Sequence, residues 1–169
     1  LITLISAKGS GLWEHPTEFT KKTTVREAIA HLPSLESGED STIKWHSMRH
    51  KVHNINHIEW MKHTPTGKTA FDNKVHFPKK LDKDTGEYRP ISGFKTTYKR
   101  MAWDKPAPTV TMGNGSISSQ NNVHPGTDNG DGTFSDARVL TIKELCAIVG
   151  LPEDWVDHLE HTKTREGFL

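Results

Sequence analysis

Four histidines, His46, His50, His53 and His57, crowd into one short stretch of the chain. Their spacings of three and four place some of them on one face of a helix, as a metal-binding pair requires. No glutamate stands in the order of a zincin motif and no cysteine pair helps. The residues therefore favour neutral imidazoles on a helix surface, with a zinc or histidine-based nuclease site as the alternative. Cys146 is the only cysteine. A reactive thiolate needs a cation, a helix start or a paired base, but Cys146 stands well inside a helical pattern among Leu145, Ala147 and Ile148. It reads as a small buried hydrophobe. The segment TDNGDGTFSDAR places Asn129, Asp131 and Gly132 at calcium-loop offsets. Thr127 and Arg138 occupy the first and last ligand positions, where a bidentate glutamate is required at the end, so calcium is excluded. No metal site is expected.

Nucleotide cradles are missing as well. Gly113-Asn114-Gly115 is too short for a dinucleotide fingerprint, and no GxxxxGK[ST] loop is present. What remains is a polar loop carrying Gly113, Asn114, Gly115, Ser116, Ser118, Ser119, Gln120, Asn121 and Asn122. Amide side chains can read base edges and serines can bond to bases or phosphates, while the glycines let backbone approach a ligand. Lys95, Lys99, Arg100 and Lys105 stand nearby as candidate phosphate partners.

The elements that must position these residues are short. Leu1 to Ser6 reads as a strand entering a turn at Gly9 and Gly11. Thr24-Val25-Arg26-Glu27 is a capping box ahead of an apolar stripe of Ala28, Ile29 and Leu32, stopped by Pro33. Residues 47 to 63 read as a helix with Val52, Ile55, Ile58 and Met61 inward. TPTGKTAFDN and DKDTGEYRPISG read as loops or tight turns. Residues 96 to 112 read as two extended segments around a corner at Pro106 and Pro108, and DNGDGTFSD as a hairpin-type turn. Thr141 to Glu144 is a second capping box, followed by Leu145, Ile148 and Val149 as an apolar face and by Gly150 as a left-handed stop.

Bulk properties agree with one small domain. Hydrophobic residues make up 33% of 169, so the core must be small and loop-rich, with five tryptophans and six phenylalanines supplying much of its bulk. A formal net charge of +1 neither demands nor excludes a polyanion, which needs a local basic face. A single cysteine excludes an internal disulfide and fits a reducing cytoplasm, and no apolar run suits a membrane span. The chain starts without methionine inside an apolar run and ends inside a plausible helix, which points to a fragment of a larger protein. The expected class is α+β: a small mixed domain of short twisted strands, a few short helices and long recognition loops.

The order of these pieces is distinctive. KRMAWDKPAPTVTM, a glycine-bearing polar loop, HPG and then ARVLTIKELCAIVGLPEDW resemble the C-terminal part of DNA cytosine-5 methyltransferases. That family carries a motif R-x-L-T-x-x-E-x-A-x-x-x-G-x-P, matched here by Arg138, Leu140, Thr141, Glu144, Gly150 and Pro152, with Cys146 on the alanine position. Thr109-Val110 is similar to the Thr-hydrophobe pair of the family's target recognition domain. LITLISAKG is similar to the strand that follows its Q-x-R-x-R motif, and TVREAIAHLP to a helix near the start of this region. The best match spans residues 98–155 within a single domain of 1–169.

The resemblance implies that this chain supplies sequence-specific recognition of double-stranded DNA. Arg100, Thr109, Val110 and the 113–122 loop would form the DNA side, and Arg138, Thr141, Glu144, Gly150 and Pro152 the scaffold. No Pro-Cys, no Glu-Asn-Val and no glycine-rich S-adenosylmethionine segment occurs in the chain. Catalysis and the S-adenosylmethionine cofactor would then belong to a separate catalytic domain, in cis or as another subunit, and the chain alone would be inactive. Two alternatives stay open: a metal-dependent nuclease or hydrolase built on His46 to His57, and a protein-interaction module presenting Trp45, Trp60 and Trp103.

Overall fold

Thr24 opens the first helix by the reciprocal device its sequence encodes. In the computed structural model, which describes residues 21–49, 51–111 and 115–155, its hydroxyl accepts from the Glu27 N–H and the Glu27 carboxylate accepts from the Thr24 N–H. Helix α1 runs Val25–Ile29 and buries those two end residues. Helix α2 runs Ile55–Lys62 behind an Asn54 cap, and helix α3 runs Ile142–Ile148 behind Thr141, with both halves of the second capping box formed. Gly150 takes a φ of 74° and ends α3, whose last turn is closed by Leu151 N–H donating to the Cys146 carbonyl. The strand expected at Leu1 to Ser6, with Gly9 and Gly11, lies outside the described residues.

The expected helix over 47–63 is shorter than its periodicity suggests. The Asn54 side chain accepts from Asn56 N–H and starts the helix only there. Val52 and Ile55, expected inward, are 77% and 74% exposed, whereas Met48, Trp60 and Met61 are buried. Val149, also expected inward, is exposed at the end of α3. Periodicity names candidates for burial; a packing partner decides among them.

Among the described residues regular strand is confined to one antiparallel ribbon, β1 (Lys79–Leu81) and β2 (Tyr88–Pro90), paired Lys79 to Pro90, Lys80 to Arg89 and Leu81 to Tyr88. All six residues are exposed, so the ribbon stands off the core on both faces. The two extended segments expected over residues 96 to 112 form only single bridges: Thr97 with Gln120, Thr69 with Lys99, Arg100 with Val123, and Val123 onward to Val139. Tyr98 and Asn121 have φ of 47° and 49°. These left-handed residues interrupt the ladder on both sides, so pairing cannot run on into strands. A further bridge, Asp128 to Phe134, closes the hairpin-type turn. The result is a small α+β domain.

Among the described residues two apolar clusters hold it. Met48, Trp60, Met61, Ala70, Ile117, Val123, Ala137 and Val139 form one. Val25, Ile29, Met101, Leu140 and Leu145 form the other, where α1 packs on α3. Each such large side chain contributes about 1.5–3 kcal/mol on burial. Among the described residues ten buried polar or charged side chains accompany these, Arg100, Arg138, His124 and Glu144 included, so polar pairing shapes this interior as much as apolar packing. No helix among the described residues is long and apolar enough to cross a membrane.

Candidate nucleic-acid interface

The geometry behind the polar loop begins with Arg138, which is completely buried. All five of its N–H donors are used. Nε donates to the Leu35 carbonyl at 2.7 Å, and Nη1 to the Val139 carbonyl and Glu144 Oε2 at 3.0 and 2.8 Å. Nη2 donates to Asp136 Oδ1 and Glu144 Oε1 at 2.7 and 2.9 Å. Burial alone would raise the Glu144 carboxyl, but the adjacent guanidinium overrides it and holds the group at about 2. Glu144 also accepts from the Thr141 N–H at 2.7 Å, so the helix cap and the ion pair share one carboxylate. Asp136 is likewise held at about 2: burial would raise it, and His124, Arg138, the Ser34 hydroxyl and the Leu35 N–H together outweigh that.

Arg100 is the second buried arginine, and here the sequence expectation is corrected. It is 1% exposed and its guanidinium donates to the carbonyls of Met61, His124, Phe134 and Asp136, not to a phosphate. Burial lowers it to about 10, which leaves it charged at neutral pH. Arg100 therefore ties the end of α2 to the 124–136 segment. His124 lies in the same buried region, its ring 3.7 Å from Asp136 Oδ1 and 3.6 Å from Glu144 Oε1. Its Nδ1 accepts the Gly126 N–H at 3.1 Å, so the proton of the neutral ring sits on Nε2. Burial pushes its pKa down to about 4.

Mounted on this base, the 115–122 loop divides into an inward and an outward set. Ile117 plugs into the core, and Asn122 is buried with its amide nitrogen donating to the Ser116 carbonyl, so Asn122 is turned away from any base. Ser116 and Gln120 are exposed; Gly115, Ser118, Ser119 and Asn121 are half-buried. Thr109 is exposed, while Val110 packs on the Met101–Leu145 cluster. Beside them runs a groove of about 290 Å³ lined by Lys99, Lys105, Pro106, Pro108 and Asn121 together with backbone of the Arg100 segment. Lys95 lies apart, paired with Asp72 at 2.8 Å. Gly113 and Asn114 lie outside the described residues. In the scaffold set, Arg138, Thr141 and Glu144 are buried, and Gly150 and Pro152 are exposed at the end of α3.

Among the described residues the histidine stretch does not form a site. His46 is fully buried, with Nε2 on the Pro33 carbonyl at 2.9 Å and Nδ1 on the Thr141 hydroxyl at 3.0 Å. His53 accepts the Val139 N–H at Nε2, and burial lowers it to about 4. His57 packs against Trp60 and Tyr98. His50 lies outside the described residues. The nuclease alternative loses its geometry, because these rings are spent one by one on different neighbours. The tryptophans are dispersed too: Trp60 is core, and Trp103 donates its Nε1–H to the Gly126 carbonyl. Sequence reasoning overlooked a different group, Glu59, His63 and His76, whose ligating atoms converge among the described residues. The spacing Glu59-x-x-x-His63 in EWMKH was the available signal.

Comparison with known proteins bears on the whole arrangement. The chain is 49% identical over 154 residues to the Type II methyltransferase M1.HgaI of Avibacterium volantium, covering 91% of this chain and 41% of that protein. It is 30% identical over 157 residues to the Type II methyltransferase M1.HphI of Haemophilus parahaemolyticus, covering 92% of this chain and 35% of that protein. The chain is homologous to a segment of Type II methyltransferases. It spans about two fifths of the length of these relatives or less. No family model and no solved structure matches it. In the segment that these relatives share with the chain, the two arginines brace the interior, and exposed polar and basic side chains sit on the neighbouring loop and groove.

Proposed function

We propose that this chain is the target-recognition part of a DNA cytosine-5 methyltransferase. The observation that carries the reading is the identity with Type II methyltransferases over nine tenths of the chain. The ordered matches from Thr109 to Pro152, which resemble the cytosine-5 enzymes, supply the finer assignment. Thr109, Ser116, Ser118, Ser119, Gln120 and Asn121 face the bases, and Lys99 and Lys105 meet phosphates along the groove beside them. Arg138, Thr141 and Glu144 keep the loop's base from shifting, a positioning role without contact to DNA.

The chemistry resides in the partner catalytic domain. There S-adenosylmethionine supplies the methyl group for a flipped cytosine. The residues of this chain offer no glycine-rich cradle for that cofactor and no Pro-Cys nucleophile, so its own contribution is to choose the site and hold the opened duplex. The decisive experiment is bisulfite sequencing of DNA treated with the complete methyltransferase. Methylation at cytosine C5, with the target sequence altered or lost on Gln120→Ala and Ser116→Ala, is the expected result. Methylation at an exocyclic amine, or an unchanged target in both variants, overturns the reading.

A further inference from the structure

Glu59 and His63 lie one turn apart at the end of α2, so their side chains leave the same face. Glu59 Oε1 stands 3.2 Å from His63 Nε2 and 3.0 Å from His76 Nδ1, and the three ligating atoms all lie within 4.8 Å of one another. The two imidazoles stack at 3.7 Å with 16° between their planes. His76 is not on a free tail. The Asn73 amide donates to its carbonyl at 2.8 Å, and also to the Trp60 carbonyl and the Thr64 hydroxyl, so one side chain fixes the 73–76 segment to α2. A third segment arrives beside them, where Phe134 N–H bonds to the Lys62 carbonyl at 2.7 Å. That turn carries Asp131, whose carboxylate accepts from the Thr133 N–H and hydroxyl.

We propose that Glu59, His63 and His76 bind one divalent transition-metal ion of the zinc class. Bonds of about 2.0–2.2 Å from zinc to imidazole nitrogen and carboxylate oxygen set the edges of a tetrahedron at roughly 3.3 Å. Two of the three edges stand near that length already. One ring turns about its χ2 to bring both nitrogen lone pairs to the ion, and His76, which is half-buried, has room to do so. Two imidazoles with one carboxylate select zinc, nickel or copper over magnesium and calcium. The fourth position falls to water. The ion acts as a staple. His76 lies just ahead of Pro78, whose carbonyl accepts from Ile91 N–H and closes the root of the β1–β2 ribbon. Metal at this point joins the end of α2 to that root.

The test is calorimetric titration of the purified, chelator-stripped protein with zinc chloride, repeated on Glu59→Gln, His63→Ala, His76→Ala and, as control, His31→Ala. His31 is exposed and far along the chain from the cluster. Circular dichroism verifies that each variant folds; the three ligands are all at least partly exposed, so the substitutions spare the core. Expected are one equivalent of zinc, at least tenfold weaker binding in each of the three cluster variants, wild-type binding in the control, and no competition from excess magnesium. Absence of binding overturns the proposal. So does binding that the three substitutions leave unchanged, which would be adventitious capture by other histidines. Neither result depends on whether the parent enzyme methylates cytosine.

Discussion

Gly126 lies so close to the guanidinium of Arg100 that a Cβ at this glycine would stand 2.3 Å from Nη1, and 2.6 Å from the Ser135 carbonyl. Its φ of 69° adds a left-handed backbone. Gly126→Ala is expected to cost about 2–5 kcal/mol, combining the left-handed penalty with overpacking against buried, hydrogen-bonded groups. Gly130 has a similar φ of 81° with nothing within 4 Å, so Gly130→Ala should cost only about 1–2 kcal/mol. Urea unfolding of the two variants checks the contrast; equal losses would show that the Arg100 contact is unimportant.

The bidentate pair of Arg138 with Glu144 makes a second prediction. Arg138→Met or Glu144→Leu alone strands a buried charge and should destabilise by about 3–5 kcal/mol. The double variant strands neither of these two charges, though Asp136 still loses its guanidinium partner, and it should lose less than the two single losses added together. A double-mutant cycle by chemical denaturation measures the coupling. Additive losses would mean that the two groups act independently.

Acid stability follows from the buried histidine and carboxylates. The folded pKa of His124 is depressed to about 4 from its usual value near 6.5, so below pH 6.5 protons go to the unfolded chain first. Stability falls as pH drops from 6.5 to 4, by about 3 kcal/mol from this group alone, and the loss then levels off. Asp136 and Glu144, both near 2 when folded, contribute stability present above their unfolded values and lost as pH falls from about 5 towards 2. Replacing His124 with Gln should reduce the slope of the upper part of the acid-unfolding curve, His53 supplying the remainder, and leave the lower part. A curve that keeps its slope between pH 6.5 and 4 would show that His124 does not titrate as its burial requires.

Lys99 and Lys105 are expected to govern the salt dependence of DNA binding. Anisotropy titrations of a duplex across salt concentrations should give a steep slope for the wild type. Lys99→Ala with Lys105→Ala should lower that slope by roughly 0.9 for each phosphate contact removed. Arg100→Ala should instead unfold the protein. A slope unaffected by the lysine pair would move the phosphate contacts elsewhere.

Local chemistry was the legible part of the fold. Both capping boxes, at Thr24 and Thr141, are written in four consecutive residues and form as written, and Gly150 stops α3 by its own φ. Long-range decisions were not legible. Arg100 stands among lysines in sequence and looks solvated, yet the carbonyls that bury it come from residues 61, 124, 134 and 136. The histidine stretch looked helical by spacing alone, whereas Asn54 starts the helix after His53 and leaves His46 to bind Pro33 and Thr141. For the candidate interface, residue type gave the loop, but only the fold turns Ile117 and Asn122 inward and Ser116 and Gln120 outward.

The ribbon from Lys79 to Pro90 contributes no side chain to either core cluster, and its root is held by the Ile91–Pro78 hydrogen bond and by Ile91 packing on the first cluster. Substitutions within it should therefore cost the two core clusters and the Arg100 and Arg138 networks little. The ribbon and the buried arginine network thus stand on separate foundations, and one can be rewritten while the other stays in register.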